Sequence, residues 1–285
     1  LYKSTYQKNA FTKNKIYKMT TLSALKSVHL EQRQKEYDPS FTHLMQLTLG
    51  EGFLSFGGTS LIDKIFSGVD LEGKKILDVG CGLGGPLRYL AEKHRVDIIG
   101  VDIEPDVIFE AQQIHFEKPL KGTLSFQVIE NGNYPFANEF FDIIFGKESW
   151  LHIENKPIFF KTLYPLLKPG GRLMCTDWMH ADPIYSEDMK RFLIIDGLTF
   201  HLTTTEEYKD ALASAGFKHI TFEDISTDMI KEFKEVYLRH FDELGEQIKE
   251  RYGWETYYMI LHSWLLQRVV FEKGEILVNI FHALK

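Results

Sequence analysis

From Ile76 to Gly85 the chain reads Ile-Leu-Asp-Val-Gly-Cys-Gly-Leu-Gly-Gly. An apolar run that enters closely spaced glycines lets the backbone approach a ligand where a Cβ would clash. Gly80, Gly82 and Gly85 satisfy the GxGxxG spacing of dinucleotide sites, which alone is a weak signal. Asp78 points to a different nucleoside ligand. Its carboxylate, two residues before the first glycine, would face a pyrophosphate and repel it. A ligand carrying a cationic amino group would instead be attracted. Asp102, closing a second apolar run, can accept from both hydroxyls of a ribose, and Glu130, closing a third, can accept from an adenine amino group. One acid capping a turn is commonplace. Three at the ends of successive strands predict a nucleoside-binding crevice.

A second constellation lies downstream. Glu148 and His152 are four residues apart, which on the first turn of a helix places them on one face. A carboxylate beside an imidazole tunes a general base near neutral pH. The blander alternative is a capping glutamate and a packed histidine. Asp177 is a further polar candidate at a strand end, while Trp150 and Leu151 read as core. His180, His201 and His262 show no ligand spacing, so no metal is expected.

The elements that must position these residues alternate as β and α. Apolar runs at Lys75–Val79, Asp97–Val101, Leu124–Ile129, Phe141–Phe145 and Arg172–Thr176 read as strands. Helical patterns run through Leu87, Leu90 and Ala91, and from Pro105 through Ile108, Ala111 and Ile114. Strands separated by such helices imply a parallel sheet with right-handed crossovers. Thr205–Ala215 reads as a helix, capped by Thr204 or Thr205 and ended by Gly216. Ile220–Glu223 and Leu277–Ala283 read as the last strands. Three stretches fall outside the alternation: 23–58, 178–204 and 226–275. The third carries Ile230, Phe233, Tyr237, Phe241, Leu244 and Ile248 at spacings of three and four, a packing stripe.

Composition narrows the class. With 44% apolar and 26% charged residues among 285, the chain is globular. A formal charge of −7 argues against a face that grips nucleic acid phosphates. Residues 1–22 form a basic stretch without an acid, expected to be a flexible leader in which Met19 lies. It lacks the arginines of a transit peptide. No apolar run approaches the roughly 20 residues of a membrane span. Cys81 and Cys175, without CxxC spacing, suggest neither a disulfide framework nor a zinc site. A soluble, cytoplasmic chain is expected.

Ile76–Gly85, Gly100-Val101-Asp102, Phe140–Ile144 and Leu167–Gly171 together resemble the motifs of class I S-adenosylmethionine-dependent methyltransferases over about residues 58–224. The resemblance implies a doubly wound α/β fold: a seven-stranded, mostly parallel, Rossmann-like sheet whose final strand is antiparallel, with an inserted helical cap. The expected organisation is a cap segment at 23–58, then a core at 59–285 with cap insertions near 178–204 and 226–275. The implied cofactor is S-adenosyl-L-methionine, leaving S-adenosyl-L-homocysteine as product. By position, Asp78, Gly80 and Gly82 would face its methionine part, Asp102 the ribose and Glu130 the adenine. Cys81, Ile103, Asn131 and Lys147 adjoin those positions and complete the implied donor site.

Tyr37, Gly50–Gly58, Glu148–His152, Thr176-Asp177-Trp178 and the run from Lys273 to Leu284 are similar to the phosphoethanolamine and other small-amine N-methyltransferases. Sterol, tocopherol and terpene C-methyltransferases share parts of this pattern. The resemblance makes Glu148 and His152 the catalytic candidates, and Tyr37, Ser55, Trp178, Phe192 and Phe200 the acceptor contacts. Where the phosphobase enzymes place tyrosines and an arginine around phosphate, this chain has Met45, Trp178, Phe192, Phe200 and either Asp196 or Leu198. The expectation is therefore N-methylation of a small apolar or cationic amine, since aromatic faces suit such a body. The alternatives are C-methylation of an apolar acceptor, phosphoethanolamine N-methylation, or a non-catalytic nucleoside-binding regulator. A nicotinamide dehydrogenase and an RNA methyltransferase are weaker rivals, opposed by Asp78 and by the acidic charge. The partner expected is a small molecule, with no nucleic acid.

Overall fold

Successive residues of a strand face opposite sides of a sheet, and the apolar runs place both sides against helices. In β1 (Lys75–Val79), Ile76 joins one buried cluster and Leu77 the other. The same split recurs at Ile143 and Ile144 of a later strand. This computed structural model describes residues 37–115, 119–130, 132–239 and 243–285. The expected leader at 1–22, the first part of the 23–58 segment, Asn131 and Phe241 lie outside them.

Along the chain, α1 (Pro39–Leu49) and α2 (Gly58–Ile65) precede β1. Then come α3 (Gly85–Lys93), β2 (Asp97–Asp102), α4 (Pro105–His115), β3 (Thr123–Val128) and β4 (Phe141–Lys147). After them follow α5 (Lys156–Leu163), β5 (Leu167–His180), α6 (Glu187–Asp196) and α7 (Thr205–Ser214). The chain closes with β6 (Lys218–Asp224), α8 (Ser226–Arg239), α9 (Gly245–Glu272) and β7 (Ile276–Leu284). The seven strands stand in the order β3-β2-β1-β4-β5-β7-β6. β1 through β5 pair in parallel, and β7 runs antiparallel between β5 and β6. The expected doubly wound, mostly parallel sheet is thus observed. The strand order reverses between β1 and β4, the place where such sheets open a crevice.

Local chemistry sets the ends of the helices. Thr204 caps α7 through a reciprocal box with Glu207, as S/T-x-x-E sequences do. Asp38 accepts from the N–H groups of Ser40 and Phe41 ahead of Pro39, and Ser186 caps α6. The 226–275 stripe is divided between two helices. Phe233 of α8 packs on Phe56 and on Phe271 of α9, with ring centroids 4.1 and 5.0 Å away. α9 kinks at Gly253, whose φ is +84°. Among the described residues, no helix is long and apolar enough to cross a membrane.

Candidate active site

The carboxyl ends of β1, β2 and β4 open into a cavity of about 220 Å³. Its floor is the loop after β1, where Gly80 and Gly82 adopt φ of +77° and +52°, a region L side chains avoid. Part of the glycine requirement comes from the protein itself. A Cβ on Gly80 would lie 2.5 Å from Ser149 Cβ, and one on Gly85 would lie 2.7 Å from the carbonyl carbon of Gly52. Gly80 thus admits the turn after β4, and Gly85 admits the segment before α2.

Asp78, Gly80, Cys81, Gly82, Asp102, Ile103 and Lys147 all line this cavity. Asp78 is 2% exposed, and its Oδ1 has no hydrogen-bond partner. Burial pushes its carboxyl well above the usual range, Asp102 adds to this and Lys147 opposes it. An orphaned buried carboxylate oxygen lining a cavity is the feature an ammonium group would satisfy. Asp102 accepts from the N–H groups of Gly82 and Glu104 at 3.0 and 3.1 Å. Burial pushes Asp102 up, while those two bonds restrain it. The residues at this end therefore fit a ligand with a cationic head and a hydroxylated middle.

Several expected site residues stand differently. Glu130 is exposed and outside the cavity wall, because β3 stops at Val128 and it is Ile129 that lines the cavity. Lys147 is committed to the protein: its ammonium donates to Ser55 Oγ at 2.6 Å and to the Phe56 carbonyl. That tie holds the segment before α2 over the cavity. Burial raises the Cys81 thiol well above its ordinary value, so it stays protonated. Asp177 does not line this cavity and accepts from the Tyr208 hydroxyl at 2.6 Å.

A second, smaller cavity of about 100 Å³ adjoins the first. Tyr37, Ser55, Glu148 and His152 line both. Trp178 and Phe200 form a wall of the second, together with Met45 and Leu198. Phe192 does not reach it; fully buried, it backs Phe200 at a ring separation of 6.2 Å.

The expected helix at Glu148–His152 is not there. Glu148 has a φ of +49°, and Trp150–His152 form a single 3₁₀ turn. Tertiary bonds impose this geometry. Ser149 Oγ and Trp150 Nε1 both donate to the Val79 carbonyl, at 3.0 and 2.9 Å. Glu148 and His152 therefore share a cavity edge without touching through a hydrogen bond, for neither Glu148 carboxylate oxygen has a partner. Glu148 is 8% exposed. Burial raises its carboxyl, Lys147 opposes this, Glu232 adds to it, and Ser55 and Trp178 lie near enough to favour the ion.

His152 has a different partner from the one expected. Nδ1 lies 2.6 Å from the Thr199 carbonyl, which can only accept, so Nδ1 carries the proton. Nε2 then presents its lone pair to the Tyr37 hydroxyl, 3.2 Å away. The imidazole also stacks on Phe200 at 5.4 Å. Tyr37 and His152 are thus a hydroxyl–imidazole pair at the junction of the cavities, able to receive a proton.

Sequence reasoning also missed Ser263 and Gln267 of α9, which line the second cavity. Their only local sign is that they are uncharged polar residues in the apolar-rich run from Leu261 to Val270.

The methyltransferase-domain family model matches residues 70–216. The chain is 31% identical to phosphoethanolamine N-methyltransferase 3 of Arabidopsis thaliana over 84% of its own length and 48% of that protein's. It is 27% identical to phosphoethanolamine N-methyltransferase of Plasmodium falciparum, over 86% of this chain and 92% of the other. It spans about half the length of the plant relatives it matches. A Haemonchus contortus phosphoethanolamine N-methyltransferase 2 solved with S-adenosyl-L-methionine superposes with a TM-score of 0.81 at 22% identity, over 88% of this chain and 58% of that one. A cyclopropane synthase of Mycobacterium tuberculosis does so at 0.70 and 19%, over 82% and 86%. These two likenesses concern the fold. The chain belongs to the methyltransferase-domain family.

Proposed function

We propose that this methyltransferase-family chain transfers a methyl group from S-adenosyl-L-methionine in the larger cavity to the nitrogen of a small amine in the smaller one. The observation that carries the reading is the junction. Two cavities meet at Tyr37, Ser55, Glu148 and His152, one fitted to a nucleoside with a cationic head, the other walled by aromatic rings around a buried carboxylate. When bound, the donor supplies an electrophilic methyl on a sulfonium and leaves as S-adenosyl-L-homocysteine.

The residues of the chain bind and orient. Asp78 would meet the ammonium of the methionine part and Asp102 the ribose hydroxyls. Glu148, buried and unpartnered, would hold the protonated amine, whose positive charge would in turn favour the glutamate ion. Trp178 and Phe200 would face the rest of the cation. An ammonium nitrogen has no lone pair, so a proton must leave before transfer; Nε2 of His152, directly or through Tyr37, would accept it. Holding both reactants in line and excluding water supplies much of the remaining rate.

A second reading, phosphoethanolamine as acceptor, is favoured by what the relatives are named for. Against it stands the described lining of the smaller cavity, which holds two carboxylates and neither lysine nor arginine. A phosphate desolvated there would lack charged partners. The test is incubation with S-adenosyl-L-methionine and a panel of amines, following S-adenosyl-L-homocysteine release and product mass. Methylated amines are expected. Absence of donor binding would overturn the reading, and efficient turnover of phosphoethanolamine would replace the acceptor assignment with the second one.

A further inference from the structure

The far wall of the smaller cavity is polar in a way that transfer itself does not require. Gln267 is 4% exposed and lines the cavity. Ser263, one helical turn earlier on α9, donates to Asp196 Oδ2 at 3.3 Å. Asp196 lines the same cavity and is the last residue of α6. The negative end of that helix dipole adds to the carboxylate's charge. A side-chain amide that faces a cavity can donate to and accept from a ligand held there.

We infer that Asp196, Ser263 and Gln267 form a second polar subsite that receives a hydrogen-bond-donating group at the far end of the acceptor. This rests on the reading of the smaller cavity as the acceptor site. The acceptor then has two polar ends joined by an apolar stem. One end is the amine at Glu148, the stem lies along the wall that Trp178 and Phe200 form, and the second end is an ammonium or hydroxyl at Asp196. A carboxylate at a helix C-terminus attracts a cation and repels an anion, so the class is a small diamine or amino alcohol. The Gln267 carbonyl would accept from the same group, and its NH₂ would serve a hydroxyl oxygen.

The test compares putrescine, aminobutanol and butylamine, which share one carbon chain and differ in the terminal group, with phosphoethanolamine as the anionic probe. Binding is read by calorimetry on the full chain with S-adenosylhomocysteine present, and turnover by release of that product from S-adenosylmethionine. Putrescine and aminobutanol are expected to bind at least roughly tenfold more tightly than butylamine, the worth of one hydrogen bond to a charged group. Asp196→Asn and Gln267→Leu should each shrink that preference, with melting temperature and S-adenosylhomocysteine affinity as checks on folding. Equal binding across the series, preference for phosphoethanolamine, no amine binding at all, or an undiminished preference in both variants would overturn the subsite. Preferential binding without methylation would leave the subsite standing and remove the transfer reading instead.

Discussion

The N–H of Gly85 donates to the carbonyl of Gly52 at 2.9 Å, and a Cβ on Gly52 would lie 2.8 Å from Gly85 Cα. The glycine loop and the segment before α2 therefore pack backbone to backbone across the larger cavity. Gly52→Ala would meet both this contact and a φ of +81°. A loss of roughly 1–3 kcal/mol in stability is expected from the strained backbone alone. Thermal unfolding with and without S-adenosylhomocysteine checks it, and unchanged melting would show that the two segments separate freely.

Donor affinity should depend on Asp102. Asp102→Ala removes the proposed acceptor of the ribose hydroxyls and should weaken binding by roughly 1–3 kcal/mol. Asp102→Asn, which keeps an acceptor for only one of the Gly82 and Glu104 N–H groups, should lose less than Asp102→Ala because one oxygen can still accept from the ribose. Calorimetry with S-adenosylhomocysteine measures both, and equal affinity for wild type and Asp102→Ala would refute the ribose assignment.

Turnover should depend on the Tyr37–His152 pair and leave donor binding nearly intact. His152→Ala is expected to lower kcat by roughly 10²–10⁴ if the imidazole takes the proton. Tyr37→Phe, which removes only the hydroxyl at 3.2 Å, separates direct proton transfer from transfer through tyrosine. Full activity in the Glu148→Gln, His152→Ala double variant would leave positioning as the whole mechanism.

Asp177 should make stability depend on pH. Burial pushes its carboxyl up to about 7, with Lys156 and the Tyr208 hydroxyl opposing. In the unfolded chain the same group releases its proton near the ordinary aspartate value of ~4. Its contribution is therefore full below about pH 4 and is lost as pH rises towards 7, since only the unfolded state sheds the proton there. Asp177→Asn should flatten that decline, by up to roughly 4 kcal/mol across the window. Denaturant midpoints of both proteins from pH 4 to pH 8 test this, and parallel curves would refute it.

The stretches at 37–58 and 178–204 should tighten when the donor site fills. Lys147 already ties Ser55 and Phe56 to the end of β4, and Thr199 meets His152 from the other side. Slower hydrogen exchange in both on adding S-adenosylhomocysteine is the expected result. Exchange that is equal with and without it would exclude a closing motion.

The strands, the glycine loop and the positions of Asp78 and Asp102 at the cavity were legible in the sequence because each rests on local rules. Apolar runs of strand length, glycines where φ turns positive and an acid at a strand end are properties of neighbours along the chain. The Thr204–Glu207 box belongs to the same class. What tertiary structure decided lies at longer range. Glu148 and His152 carry helical spacing, yet the Val79 carbonyl captures Ser149 and Trp150 and forces a left-handed residue and a 3₁₀ turn. Tyr37 meets His152 across 115 residues, and Ser263 meets Asp196 across 67. No periodicity records such pairings, because they follow from where the helices land on the sheet. Glu130 and Phe192 make the same point in reverse: the residue types suit the site, but the end of β3 and the packing behind Phe200 keep them from its walls.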